Sequence, residues 1–498
     1  MDTPISAPTS SPTSSPTAPD PASGDHPRRD WLLGFAMLAL ARLPEAVLVC
    51  ALYVSGLRWV AALLLGLAVR RVARTVSAAH GPLPGRAVRP RDEPALAELV
   101  RDVAGRLDFH EPLLVRIVPT VRAALGRTRI DGVRTHVLLL GLPLLRNLTE
   151  AELASVIAHE LAHERHLRDR RHGLLRFARA QLAERLEGRF RPLAPFAAPL
   201  LRASRSALWR AETAADADAA RIAGAEATAG ALHRVGLLDA AFEALGERWL
   251  SGLAQQDAWP EDFYDAFDAA VSDPYVARRA ARAAADEDAV DPYGTADHPP
   301  LDRRAAALPA HAGSPFGSAV LTLRTGASVE EWCVRELTGL DREPDEEPHD
   351  DEVSAVLLLG LPHDRLRELG FDTRLDVLHA VRRDSAPQAV AAVLDALADG
   401  TGPLLARRLE PALRWAPATV RPALTRGVLA NAVSPVFAEA LCAAGWTYSG
   451  RWLTTVVTPP DDGSAVDVHE VLDDALRSGD LVPLRTLWAS TEPKEWDV

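Results

Sequence analysis

The segment from Leu148 to His163 reads LTEAELASVIAHELAH, which places His159 and His163 four residues apart with Glu160 beside the first. On a helix of 3.6 residues per turn, side chains at i and i+4 share one face, so both imidazoles can bind one Zn²⁺. Glu160 then stands where it can take a proton from water, and the chemistry is metal-assisted hydrolysis. With 15 histidines in 498 residues, composition alone gives such a motif roughly 0.03 times per chain. A catalytic zinc needs a third protein ligand and an open position for water. Glu212 in the segment from Ser204 to Gly224 can be that ligand, and Asp216, one turn later on the same face, can accept a hydrogen bond from a ligand imidazole.

These side chains need two helices held close together. Thr149 followed by Glu152 is a capping box, and Leu153, Val156, Ile157 and Leu161 recur at helical spacing with no proline or glycine between them. The Glu212 segment is rich in alanine, which permits close helix packing, and it ends at Gly224. Upstream, an amphipathic helix is expected from Pro94 to Leu107, with strands at Leu113 to Val118 and His136 to Leu140. An exposed edge strand there can pair with the backbone of an extended protein or peptide substrate. The basic run from Arg165 to Arg171 suits the negative end of the zinc helix. From Ala225 to Val290 the chain reads as helical, with Trp249, Trp259, Phe263, Tyr264 and Phe267 as core aromatics.

Length and composition set the frame. A chain of 498 residues with 48% hydrophobic content predicts two or three domains. A net charge of -13 argues against nucleic acid as a partner. Cys50, Cys333 and Cys442 form no paired motif, so neither a disulfide framework nor a cysteine zinc site is implied. Residues 1–30 are Pro, Ser, Thr, Ala and Asp with few large apolar side chains, a disordered tail. Residues 31–72 form the membrane region, and from Trp31 to Val69 the only charges are Arg42, Glu45 and Arg58. Thirty-nine helical residues reach about 58 Å against a hydrocarbon core of about 30 Å, so a two-span hairpin fits the lipid bilayer. A single span from Ala46 to Val69 behind an interfacial helix is the rival. Arg70, Arg71 and Arg74 then place the remainder of the chain on the cytoplasmic side of the cell membrane. Residues 73–312 hold the zinc motifs, and 313–352 connect them, through the acidic run DREPDEEPHDDE, to a helical region at 353–498. That last region carries no recognisable chemistry and is expected to bind a protein partner. The fold class is mainly α (α+β).

With both motifs in hand, the sequence resembles the HtpX and CAAX-prenyl-endopeptidase type of membrane zinc metallopeptidases. Three elements match in order: His159-Glu-Leu-Ala-His163, Glu212-Thr-Ala-Ala-Asp216, and His298-Pro-Pro-Leu-Asp-Arg303-Arg304. The resemblance covers roughly residues 31 to 310. It implies a gluzincin-like zinc peptidase domain with a small β-sheet, one Zn²⁺ per chain on His159, His163 and Glu212, and Glu160 as general base. It also implies a supporting or substrate-binding role for Asp216, His298 and Arg303. No second hydrophobic hairpin separates His163 from Glu212, which disfavours the enclosed chamber of the prenyl-protein enzymes. The segment before the zinc helix, Val121-Arg-Ala-Ala-Leu, departs from the family's Asn-Ala pair. A catalytically silent membrane scaffold and a BlaR-like zinc-domain sensor are the alternative functions.

Overall fold

The computed structural model describes residues 27–77, 83–130, 132–167, 170–187, 193–246, 262–289, 291, 293–310, 313–339, 374–461 and 463–490. The acidic run at 341–352, Trp249, Trp259 and all but the last four residues of the expected tail lie outside them. The described chain is mainly helical with two small sheets. In chain order its first elements are α1 (Pro27–Val54), α2 (Arg58–Ser77), β1 (Arg86–Ala87), α3 (Pro94–Arg106), β2 (Leu113–Val118), β3 (Ala123–Ile130) and β4 (Val133–Gly141). Next come α4 (Leu142–Asn147), α5 (Glu150–Leu167), α6 (Arg170–Glu187), α7 (Ala194–Ala223), α8 (Ala225–Ala241), α9 (Phe263–Ser272), α10 (Pro274–Ala289), α11 (Leu301–Ala306) and α12 (Gly326–Thr338).

The N-terminal boundary needs one correction. Residues 27–30, expected in the tail, form the first turn of α1, where Pro27 needs no N–H partner and Asp30 suits the helix dipole. By length and composition α1 can cross a bilayer. With α2 it makes a helical hairpin, turned at residues 55–57. One face of α1 exposes Leu32, Phe35, Leu43, Val47 and Tyr53. Its opposite face buries Met37 and Ala41 against α6 and the first half of α7. The two charges in its apolar stretch are held there: Arg42 donates to Gln181 at 2.7 Å, and Glu45 pairs with Arg185.

The first sheet has the order β1-β2-β4-β3, with β2 parallel to β4 and the other pairs antiparallel. Its central strand β4 is buried from Thr135 to Gly141. The edge strand β3 was not among the expected strands, because AALGRTRI alternates too weakly to signal one. It returns into β4 through a tight connection in which Gly132 takes φ +83°, a conformation that favours glycine. Leu96, Leu99 and Val103 of α3, Leu138 and Leu140 of β4, and Leu153, Ile157 and Leu161 of α5 share one core. Phe263, Tyr264 and Phe267 of α9 are buried in that core, as expected of the aromatic group. Residues 326–338, expected only to connect, add Val329, Cys333 and Val334 of α12.

Beyond them, α13 (Arg374–Val381), α14 (Ala386–Ala398), α15 (Gly402–Leu409), α16 (Arg421–Ala443), α17 (Val468–Ser478) and α18 (Val482–Ala489) enclose a second core around Val436 and Phe437. A small sheet of β5 (Thr447–Tyr448), β6 (Val456–Thr458) and β7 (Val466–Asp467) accompanies them. This unit rests on the first. Leu453 and Val456 enter the first core, and Arg279, Arg282 and Asp286 of α10 pair with Asp467, Glu470 and Arg426, each at 2.7 Å.

Cys333 is fully buried, and burial, ahead of weaker effects of neighbouring groups, pushes its thiol up to about 12. Native protein at pH 8 should leave Cys333 unalkylated until denaturant is added, as mass spectrometry of maleimide-treated protein would report. Labelling at the rate of an exposed thiol would mean that α12 does not pack on the core.

Candidate metal centre

The zinc motif lies on α5, and the capping box forms as the sequence predicts: Thr149 N–H donates to Glu152 at 2.9 Å, and Glu152 N–H donates to the Thr149 hydroxyl at 3.2 Å. The second half of helix α7 lies against α5. Its residues Ala207, Ala211, Ala215, Ala219 and Ala223 recur every four positions and are all buried. Such a row of methyl groups lets two helices approach closely. The neighbouring row, Leu208, Glu212, Asp216 and Ala220, thereby carries both carboxylates to the histidines of α5.

There His159, His163 and Glu212 each offer one ligand atom, all within 4.8 Å of one another. The two imidazole Nε2 atoms are 3.0 Å apart, His163 Nε2 is 3.3 Å from Glu212 Oε1, and His159 Nε2 is 3.5 Å from Oε2. Bonds of about 2.0–2.1 Å in tetrahedral array put neighbouring ligand atoms about 3.3–3.4 Å apart. The donor set fits zinc in kind and number, and its atoms lie close enough together to share one ion.

Two of the three residues, His159 and Glu212, are held from behind. His159 Nδ1 lies 2.9 Å from Asp216 Oδ1, and Asp216 accepts two hydrogen bonds from Arg304, at 2.9 and 2.8 Å. His298 Nδ1 sits 2.7 Å from Glu212 Oε2. Between these two contacts, Pro299 and Pro300 lead into α11, so residues six apart on one segment meet residues four apart on α7. On α5, Glu164 is nearly buried; it accepts from Arg127 of β3 at 2.9 and 2.6 Å and lies 2.9 Å from His136 Nε2 of β4. It ties the zinc helix to the sheet.

Glu160 faces a cleft of about 670 Å³ with apolar walls that include Val121, Val156, Val235 and Leu301. Its Oε2 accepts the Leu125 N–H of the edge strand at 3.1 Å. Alternate residues of an antiparallel edge strand direct their backbone groups outward, so Ala123 and Arg127 share the outward direction of Leu125.

The electrostatics are those of a cation site. Burial alone would lower the His159 pKa, but hydrogen bonds to Asp216 and then Glu212 outweigh it and raise the group to about 9. Burial would raise Glu212, yet hydrogen bonds from His159, His163 and His298 hold it far below the carboxylate range. Asp216 is likewise opposed by burial and drawn down to about 2 by Arg304 and His159.

Of the residues singled out in the sequence, His159, Glu160, His163, Glu212, Asp216 and His298 converge here. Arg303 does not. It lies over the Trp209 ring, 5.2 Å from the centroid, because one helical step turns it about 100° from Arg304. Arg304, Glu164 and the Leu125 N–H went unassigned from sequence. A buried acid directly after the second zinc-motif histidine, and the second arginine of a pair, were the signals available.

Comparison with protein-family models, curated proteins and solved structures finds no match to this chain.

Replacing Arg304 with Ala leaves Asp216 a buried carboxylate without its cation, which should cost roughly 3–5 kcal/mol. Arg303→Ala removes a stacking contact worth about 1 kcal/mol. Urea unfolding followed by tryptophan fluorescence compares the two, and equal costs would show that Arg304 is not what holds Asp216.

Proposed function

We propose that this chain is a membrane-anchored zinc endopeptidase of gluzincin type, akin to the HtpX and CAAX-prenyl-endopeptidase group, hydrolysing peptide bonds of protein substrates. The observation that carries this reading is three converging ligand atoms beside an open cleft. Structural zinc sites are four-coordinate and closed, whereas catalytic ones keep a place for water. A zinc ion held by His159, His163 and Glu212 would polarise the scissile carbonyl and bring the pKa of the attacking water toward about 7.

The chain's own residues supply the rest. Glu160 receives the proton of the attacking water and delivers it to the leaving amine. The outward N–H and C=O groups of β3 pair with an extended substrate backbone, which aligns its carbonyl beside Glu160 without reading its sequence. Val156, Val235 and Leu301 favour apolar substrate side chains. Asp216 fixes the ring of His159, Arg304 fixes Asp216, and His298 holds the outer oxygen of Glu212. The apolar outer face of α1 anchors the enzyme in lipid. The arginines at 70, 71 and 74 place the catalytic unit on the cytoplasmic side.

Purified in detergent, wild-type protein should carry close to one zinc per chain by elemental analysis and cleave casein. Glu212→Ala should lose metal; Glu160→Gln should keep it and lose cleavage by about 10²–10⁴-fold. Metal-free folded wild type would refute the metal centre, and zinc without cleavage would move the weight to a silent scaffold.

Zinc must also displace the proton that His159 holds up to about 9. Apparent zinc affinity should therefore rise about tenfold per pH unit from pH 6 to pH 8 and level off near pH 9. Competition with a chromophoric chelator measures it, after correction for the chelator's own protonation. A flat profile would show that His159 does not hold such a proton in the metal-free protein.

A further inference from the structure

The segment that delivers His298 to Glu212 has a buried arginine behind it. Arg179 of α6 is 1% exposed. Its Nε donates to Asp297 at 3.0 Å, and its Nη1 donates to the Leu201 carbonyl at 2.6 Å and the Ser204 hydroxyl at 2.7 Å. Its Nη2 reaches the carbonyls of Gly294, Thr295 and Ala296 at 2.8, 3.2 and 3.1 Å. All the N–H groups of the planar fork are directed at acceptors, an arrangement that lysine cannot reproduce. Four of the acceptors lie on the segment that ends immediately before His298.

The rest of that segment is built to the same end. Asp291 accepts from Thr295 N–H at 2.7 Å and from Ala296 N–H at 3.0 Å, and it pairs with Arg205 of α7. Gly294 takes φ +78°, and a Cβ there would stand 2.9 Å from the Arg202 side chain. The loop is therefore pressed against α7 in one conformation. His298 itself is half exposed, so its place over Glu212 depends on the backbone that precedes it.

We infer that Arg179 is the positioning residue for His298, fixing the loop 291–297 so that the imidazole meets Glu212 and thereby tightens the metal centre. The two helices that Arg179 joins carry the contacts to α1: Ser204 of α7, which Arg179 holds, lies 4.0 Å from the Met37 sulfur, and Gln181 of α6 accepts from Arg42. One guanidinium thus joins the anchor-bearing helix pair to the ligand-supporting loop. The inference rests on the metal-centre reading through Glu212, but the ordering of the loop is measurable apart from it.

The test uses the full chain in detergent, comparing Arg179→Gln, Arg179→Lys, His298→Ala and the double variant Arg179→Gln/His298→Ala. Two readouts serve: zinc affinity by chelator competition and amide exchange across residues 291–298. Exchange at Thr295 and Ala296 should quicken roughly tenfold or more in Arg179→Gln while α5 stays protected. Zinc affinity should fall about 10–100-fold in each single variant and no further in the double, because both changes remove the same hydrogen bond. Arg179→Lys should fall between wild type and Arg179→Gln. Losses that multiply in the double variant, or unchanged loop exchange, would overturn the assignment. Should Arg179→Gln fail to fold, Asp297→Asn, which weakens one partner on the loop, runs the same cycle with His298→Ala. A wild type that binds no zinc would sink the metal reading, while loop exchange would still decide whether Arg179 orders the segment.

Discussion

The charge balance of one buried turn of α7 governs the site. Glu212 and Asp216 lie buried there, Glu160 of α5 stands half-buried beside them at the cleft, and the three negative charges meet one positive charge from Arg304. With the histidines neutral the group is left at minus two, which a divalent cation cancels. Buried carboxylates persist only when paired or bound to metal. The raised His159 pKa is the same demand met by a proton. Much of the surrounding structure serves this imbalance: Arg304 comes from a separate helix to satisfy Asp216, and His298 comes from the loop before it to satisfy Glu212.

Packing makes the balance possible. Two helices can share a metal only if their axes approach, and on α7 the small residues Ala219 and Ala223 enter the core shared with α5. On its other side, α5 is tied to the sheet through Glu164, Arg127 and His136. The edge strand is therefore fixed relative to Glu160, and the contact between Leu125 N–H and Glu160 is set by the same packing that sets the ligands. A catalytic base that moved with a surface loop would have no such register with the strand beside it.

The ligand helices were legible because their signals are local: capping residues, helical spacing of apolar side chains and two histidines on one face. The strands at Leu113–Val118 and His136–Leu140 were legible as apolar runs, the second being the heart of the buried central strand. β3 was not, since an edge strand is selected for its backbone and AALGRTRI shows no alternation. Arg304 and Arg303 could not be told apart before the start of α11 was known, as helix phase alone decides which one turns inward. Arg179 left no trace in sequence, because four of its six partners are backbone carbonyls and four lie more than a hundred residues away. The strands of two or three residues in the C-terminal unit are too short for a periodic signal.

The N-terminal helix α1 is part of the same construction. Arg42 and Glu45 looked costly inside an apolar stretch, and the structure resolves the cost by pairing them with Gln181 and Arg185 of α6. Helix α1 is thus two-faced, its outer side apolar and exposed, its inner side matched to a polar helix. On the proposed peptidase reading, a flexible tether would let the cleft range over soluble proteins. A helix packed directly on α6 and α7, which also brace His298 and carry Glu212, holds the cleft at a fixed height and orientation relative to whatever surface covers that apolar face. If that surface is a bilayer, the peptide segments that reach β3 are those displayed close to the membrane, and selectivity arises from the geometry of access rather than from the side-chain preferences of the cleft.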